Sequence, residues 1–173
     1  MEPILVVASR YLHVIAAVCA VGGAVFIRFV LPAGLAQADA GSRDAVFLRC
    51  RKVFKIIVHA SITFLLLTGV YNTLRYWPDY KLVTPKGLAH GLFGGHALLG
   101  LIVIAVSLWL LAPAQPRAGH KKWMAVNVGL MFALILLAST LNFVRTSAIK
   151  AWPRLHSDTP SDVRPPAPVS PGQ

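Results

Sequence analysis

Ionisable side chains lie inside stretches of this sequence that are otherwise apolar enough to cross a membrane, and six of them are the main candidates for chemistry. They are Arg10, His13, His59, His90, His96 and Arg145. Because such groups are costly in hydrocarbon, those that occur there mark contacts with a ligand, an ion pathway or a neighbouring helix. Imidazole nitrogens bind transition metals, and guanidinium groups bind carboxylates. The first question is therefore which of these groups meet.

The depth of each histidine in the membrane distinguishes them. His13 and His96 each lie nine residues after the start of an apolar run, the first and the third. At the α-helical rise this is roughly 13 Å below the same membrane face, provided that successive helices alternate in direction. His90 lies close to that face, and His59 lies roughly 12 Å deeper than the pair. His13 and His96 are thus predicted to face each other at one level.

Two imidazoles at one depth on separate helices are typical of a b-type haem, whose iron takes one ligand on each face. The haem propionates would need cations. Arg10 lies one turn before His13, and Arg145 lies near the end of the fourth apolar run. Both guanidinium groups are predicted to pair with these carboxylates. The residues therefore predict haem b, with His13 and His96 as its axial ligands.

Small residues accompany the second of these histidines. Gly95 and Gly100 lie next to His96, where they leave room for a flat macrocycle or allow two helices to approach closely. Gly91 and Gly95 also form a GxxxG pattern, which more commonly marks a helix-packing face. A membrane histidine often only hydrogen-bonds to a neighbouring helix, so a structural role stays open beside the haem hypothesis. His59 is a secondary candidate for iron, proton entry or a helix contact.

Copper is the other metal to consider. Cu(I) sites favour cysteine and methionine, yet the sequence has neither a Met-x-x-Met nor a Cys-x-x-Cys motif. Copper bound through histidine stays an alternative without a supporting motif. None of the six acidic residues lies within a predicted span, which excludes a proton relay of aspartates and glutamates.

Four apolar runs must position these groups. The predicted spans cover residues 4–31, 53–77, 87–112 and 123–148. Each is long enough for a hydrocarbon core of roughly 30 Å, and backbone groups in lipid require helices. Short connections predict an all-α, antiparallel, up-down four-helix bundle over residues 1–152. Residues 153–173, rich in proline and serine, predict a disordered or extended tail.

The composition agrees with a membrane protein. Of the 173 residues, 56% are hydrophobic and only 13% are charged. Soluble domains contain about 25% charged residues, so a soluble fold is disfavoured. The formal net charge of +11 comes from basic residues that lie between the apolar runs. These flank spanning helices and do not form a nucleic-acid surface.

The same basic residues predict the orientation. A dense cluster of them follows the first span, and this cluster usually stays in the cytoplasm. It consists of Arg43, Arg49, Arg51, Lys52 and Lys55. The first and third loops are therefore predicted to be cytoplasmic, with both termini outside.

Two stretches resemble the CopD-like membrane proteins: SRYLHVIAAVCAVGGAVFIRFVLPA, and HASITFLLLTGVYNTL followed by a Trp-Pro loop. The resemblance covers about residues 8–148 through Tyr-Leu-His, Gly-Gly and Thr-Gly-x-Tyr motifs. The related HemJ-type protoporphyrinogen oxidases are four-helix haem-binding proteins with a histidine that matches His13. They tend to carry a lysine in the third helix, where this chain has His96. This departure favours bis-histidine ligation and electron transfer over a HemJ-like oxidoreductase, while the name CopD implies copper uptake.

We therefore expect a multi-pass protein of the bacterial cytoplasmic membrane that binds haem b and transfers electrons near the outer face. We expect the lipid bilayer to surround the helices. Because so small a membrane chain needs a partner for most redox reactions, we also expect other membrane subunits or a homo-oligomer. A non-catalytic structural subunit of a larger membrane complex and a CopD-like copper transporter are the alternatives.

Overall fold

The computed structural model describes residues 2–83, 85–112 and 119–155, and all regular structure among them is helical. Helix α1 (Glu2–Val25) continues through a π-helical turn (Phe26–Val30) and a last turn (Leu31–Gly34). The other helices are α2 (Ala40–Tyr80), α3 (Lys86–Leu111) and α4 (His120–Leu155). All four are long and apolar enough to cross a membrane. The number of spans predicted from the sequence is thus found, whereas residues 156–173 of the predicted tail lie outside the described part.

The π-helical turn in α1 has its cause in Pro32. Proline has no backbone N–H, and its ring displaces the carbonyl of the residue four positions earlier, here Arg28. The Leu31 N–H bonds to Phe26 O, five residues back, so the wider turn takes up the displaced carbonyl. The helix therefore passes Pro32 and ends at Gly34, a few residues beyond the predicted span.

Helix α2 is much longer than its predicted span. It has 41 residues, or about 60 Å at the α-helical rise, so its basic first third extends beyond a bilayer core of roughly 30 Å. Asp39 caps its start, because the Asp39 carboxylate accepts a hydrogen bond of 2.9 Å from the Ser42 backbone N–H. Hydrogen bonds from the backbone and the side chain of Ser42 lower the pKa of Asp39. The cluster of basic residues that follows the first span thus belongs to the same continuous helix as the second span.

The helices associate in two pairs. The most extensive contacts join α1 to α2 and α3 to α4. Small buried residues, spaced seven and then four apart, share one face of α1: Ser9, Ala16, Ala20 and Ala24. Gly23 lies against the ring of Phe54 on α2. Small side chains at this spacing allow two helices to approach closely.

The two ends of the bundle differ in character. At the basic end, Arg28 Nε donates to Lys121 O (2.8 Å) and Arg51 Nη2 donates to Leu110 O (2.7 Å). The cluster of buried apolar side chains lies next to this end, with residues from all four helices such as Ile27, Val58, Val103 and Met131. At the opposite end, here named the tyrosine end after Tyr76 and Tyr80, the buried residues include polar ones such as Ser9, Thr68 and Arg145. Buried polar groups thus occur in both halves, since Arg51, Ser107, His120 and Asn127 are buried towards the basic end.

Candidate functional site

The hydrogen bond between His13 and Thr68 determines which nitrogen of the histidine carries a proton. The His13 Nδ1 and Thr68 Oγ1 atoms are 2.8 Å apart, and Thr68 Oγ1 donates to Phe64 O at 2.5 Å. A hydroxyl has a single hydrogen, so Thr68 accepts from His13. His13 therefore holds its proton on Nδ1, which leaves a lone pair on Nε2. This is the form in which an imidazole binds a metal, with its other nitrogen donating to a second group.

The helix spacing explains why this contact forms. Ser9 lies one turn before His13, and Ser9 Oγ donates to Asn72 Oδ1 at 3.2 Å. Asn72 lies one turn after Thr68, so two i, i+4 pairs on α1 and α2 meet face to face. A Cβ built on Gly69 would lie 3.5 Å from His13 Cε1, so only a small residue fits closely beside the ring. The contact therefore orients the half-buried imidazole from two sides.

The His96 imidazole reaches the same region from α3. Its ring lies within electrostatic range of His13. The His96 Nδ1 atom is buried and has no hydrogen-bond partner among the described residues. Buried polar atoms nearly always have a partner, so this nitrogen needs a ligand, a water or a further group. His96 thus provides a second imidazole, from the other helix pair, within electrostatic range of His13. No cluster of three or more potential metal ligands occurs in the described part of the chain.

The two predicted glycines have different surroundings. A Cβ on Gly95 would lie 3.7 Å from Leu137 Cδ2, so Gly95 packs against α4. A Cβ on Gly100, one turn after His96, would meet no heavy atom within 4 Å. The space next to Gly100, one turn from His96, is therefore open. Contact of either glycine with a cofactor stays a prediction.

Both predicted arginines lie at the tyrosine end, on the ring of Tyr76. The guanidinium carbon lies 4.2 Å from the ring centre in Arg145 and 5.8 Å in Arg10. The buried Arg145 also pairs with the half-exposed Asp79, with 3.8 Å between Nη1 and Oδ2. Asn142 Oδ1 accepts from Arg145 Nη2 at 3.3 Å. Two cations against one carboxylate leave an excess positive charge, which favours a further anion.

The structure separates the other two candidate histidines, His59 and His90, from this site. His59 is exposed on α2, and its Nδ1 donates to Lys55 O in its own helix at 2.6 Å. It lies nine residues before Thr68, roughly 13 Å away along the helix axis. His90 packs edge-on against Trp77, with ring centres 5.6 Å apart. Neither histidine shares the surroundings of His13.

Four polar residues of α2 that reach the site escaped prediction from the sequence. They are Thr68, Asn72, Tyr76 and Asp79. Their spacing of four, four and three residues places them on one face of the helix. A polar stripe of this period within an apolar span is the sequence pattern that predicts such a face.

Replacing Thr68 by valine tests the hydrogen bond that orients His13. Valine matches the shape of threonine but cannot accept from His13 Nδ1, so a half-buried N–H loses its partner. We expect Thr68→Val to lower the free energy of unfolding by about 1–3 kcal/mol. Thr68→Ser keeps the hydroxyl and serves as the control, with a clearly smaller loss. Unfolding of the purified protein in detergent measures both variants, and equal losses would contradict this role of the hydroxyl.

Comparison with known proteins identifies no relative: no family model, no curated protein and no solved structure matches the chain. The fold defines the class, an all-helical protein with four helices able to cross a membrane.

Proposed function

We propose that this protein is a b-type cytochrome of the bacterial cytoplasmic membrane, with His13 and His96 as the axial ligands of one haem. The observation that carries the proposal is the pair of hydrogen bonds that Thr68 forms with His13 Nδ1 and Phe64 O. Thr68 holds the His13 proton on Nδ1, which leaves Nε2 free for iron, as in metal-binding histidines generally. His96 supplies a second imidazole from another helix in the same region.

The surrounding residues fit the chemical parts of a haem. Arg10 and Arg145 provide cations for two propionates at the tyrosine end, where Arg145 also pairs with Asp79. Gly100 borders open space next to His96. A bound haem would supply one-electron transfer, and this is the redox function that we propose. The helices contribute the oriented imidazole of His13, a second imidazole from His96 and two guanidinium groups that would bind the propionates.

The proposal includes an antiparallel up-down topology and an orientation in the membrane. From His13 to Gly23 along α1, the contacts on α2 move from Thr68 back to Phe54. Likewise, Gly95 and Ser107 on α3 contact Leu137 and Asn127 on α4. The basic end faces the cytoplasm by the positive-inside rule, so both termini and the haem lie towards the outer face.

The resemblance to CopD-like and HemJ-like proteins is part of this proposal, and it is supported only by the motifs of the sequence. His96 in place of a lysine favours electron transfer over protoporphyrinogen oxidation. Copper transport has less support, because Met124 and Met131 are buried in the apolar core.

A structural subunit of a larger membrane complex, or a homo-oligomer, is the second candidate. The observation that favours it is an open glycine face on α3. Cβ atoms built on Gly87, Gly91 and Gly94 would meet no heavy atom within 4 Å. Such faces allow a helix of another subunit to approach closely.

An absorption spectrum of the full-length protein, purified from membranes, distinguishes these functions. We expect a reduced-minus-oxidised band of low-spin b-type haem, with about one haem per chain. Protein without pigment or metal would support the structural subunit instead. Bound copper without haem would support the copper transporter, and either result would reject the cytochrome.

A further inference from the structure

A small cavity lies where the four helices meet, towards the basic end and away from the histidine pair. Its volume is about 20 Å³. Its lining includes apolar side chains from α1, α2 and α4, among them Ala24, Phe54 and Met131, and three polar ones, Ser107, His120 and Asn127. A dry cavity would be lined by apolar groups only. The polar lining therefore raises the question of what these groups bind.

The Asn127 side chain is left with an unsatisfied atom at this cavity. It is 5% exposed, and its Nδ2 donates to Ser107 Oγ at 2.9 Å. Asn127 Oδ1 is buried and has no hydrogen-bond partner among the described residues. Turning the amide by half a turn would let the Ser107 hydroxyl donate to Oδ1, but it would then leave Nδ2 unpaired. In either orientation, one polar end of the amide needs a partner in the cavity.

We propose that this cavity binds one ordered water molecule. A water both donates and accepts, so it satisfies Asn127 in either orientation of the amide. The cavity exceeds the volume of roughly 10–15 Å³ that a water needs, and Asn127, Ser107 and His120 supply the usual two to four polar partners. A cation fits less well, because the charge of the buried Arg51 acts on His120 at this cavity.

This water would complete the polar contact between α3 and α4 inside the apolar core. The Ser107–Asn127 hydrogen bond joins these two helices, and the water binds the polar end of the Asn127 amide that this bond leaves unpaired. Because unsatisfied polar groups in a core are costly, displacing the water should destabilise the bundle. The site does not depend on whether the protein binds haem.

Filling the cavity with methyl groups gives opposite results for a hydrated and a dry cavity. Ala24 lines the cavity and is 3% exposed, so Ala24→Val places two further carbons there. In the wild-type background we expect the thermal midpoint to fall by about 3–8 °C, because the water leaves and the Asn127 amide loses its partner. In an Asn127→Leu background, which has no amide, the same change should be neutral or raise the midpoint.

The difference between the two backgrounds isolates the water from the general effect of overpacking. Magnetic resonance of the full-length wild type adds a direct readout. We expect cross-relaxation between the Asn127 side-chain amide protons and a long-lived water, and its loss in Ala24→Val. Equal shifts of the midpoint in both backgrounds, or no such cross-relaxation in the wild type, would overturn the proposal. If Asn127→Leu fails to fold, the magnetic resonance measurement decides alone.

Discussion

His13→Ala and His96→Ala should each abolish the low-spin b-haem spectrum, and this is the largest effect that we expect of any substitution. Each variant removes one of the two imidazoles that the site offers from different helices. Each imidazole would hold the haem iron through one nitrogen, so removing either should replace the low-spin spectrum and weaken haem retention. The measurement is the reduced-minus-oxidised spectrum and the haem content of the purified variants.

His59→Ala is the matched control for both variants. His59 is also a histidine within a spanning helix, but it is exposed and donates to its own helix at Lys55 O. We expect this variant to keep the wild-type spectrum and haem content. A full low-spin spectrum in His13→Ala would contradict ligation by His13, and loss of the spectrum in His59→Ala would reassign the ligand.

Gly23→Ala should be the most destabilising replacement of a glycine in this chain. A Cβ at this position would lie 2.4 Å from Phe54 Cε2 and 2.8 Å from Phe54 Cδ2, well inside contact distance. Phe54 is 6% exposed and belongs to the apolar core, so its ring cannot move without displacing other side chains. We expect a loss of about 1–3 kcal/mol in the free energy of unfolding. Denaturation of the purified protein in detergent measures it.

The neighbouring glycine provides the control for this prediction. A Cβ on Gly22 would meet no heavy atom within 4 Å, so Gly22→Ala should be neutral or stabilise α1 by up to about 1 kcal/mol. Phe54→Leu should reduce the penalty of Gly23→Ala, since leucine has no atom at the position of Cε2, the ring atom nearest to the new Cβ. A similar loss for both alanine variants would show that the close approach of α1 and α2 is not the cause.

The boundaries of the helices could be predicted only in part. Length and hydropathy predicted four spans correctly, because the membrane-crossing requirement is a local property of about 20 residues. They did not predict that α2 begins as early as Ala40, since a polar, basic stretch can be a loop or a helix. The Asp39 cap and the continuity of this stretch with the span stabilise it as a helix.

The sequence by itself predicted four helices that are long and apolar enough to cross a membrane, and it predicted His13 and His96 at matching positions along two of them. Both follow from counting residues at a constant rise per residue. The polar stripe of α2 indicates which face of that helix turns inward, but only the tertiary structure decided which neighbour each helix contacts. The partner that orients His13 is Thr68, 55 residues away, and Arg145 meets Tyr76 from another helix. The choice of neighbours depends on the packing of all four helices together, which no local pattern of the chain contains.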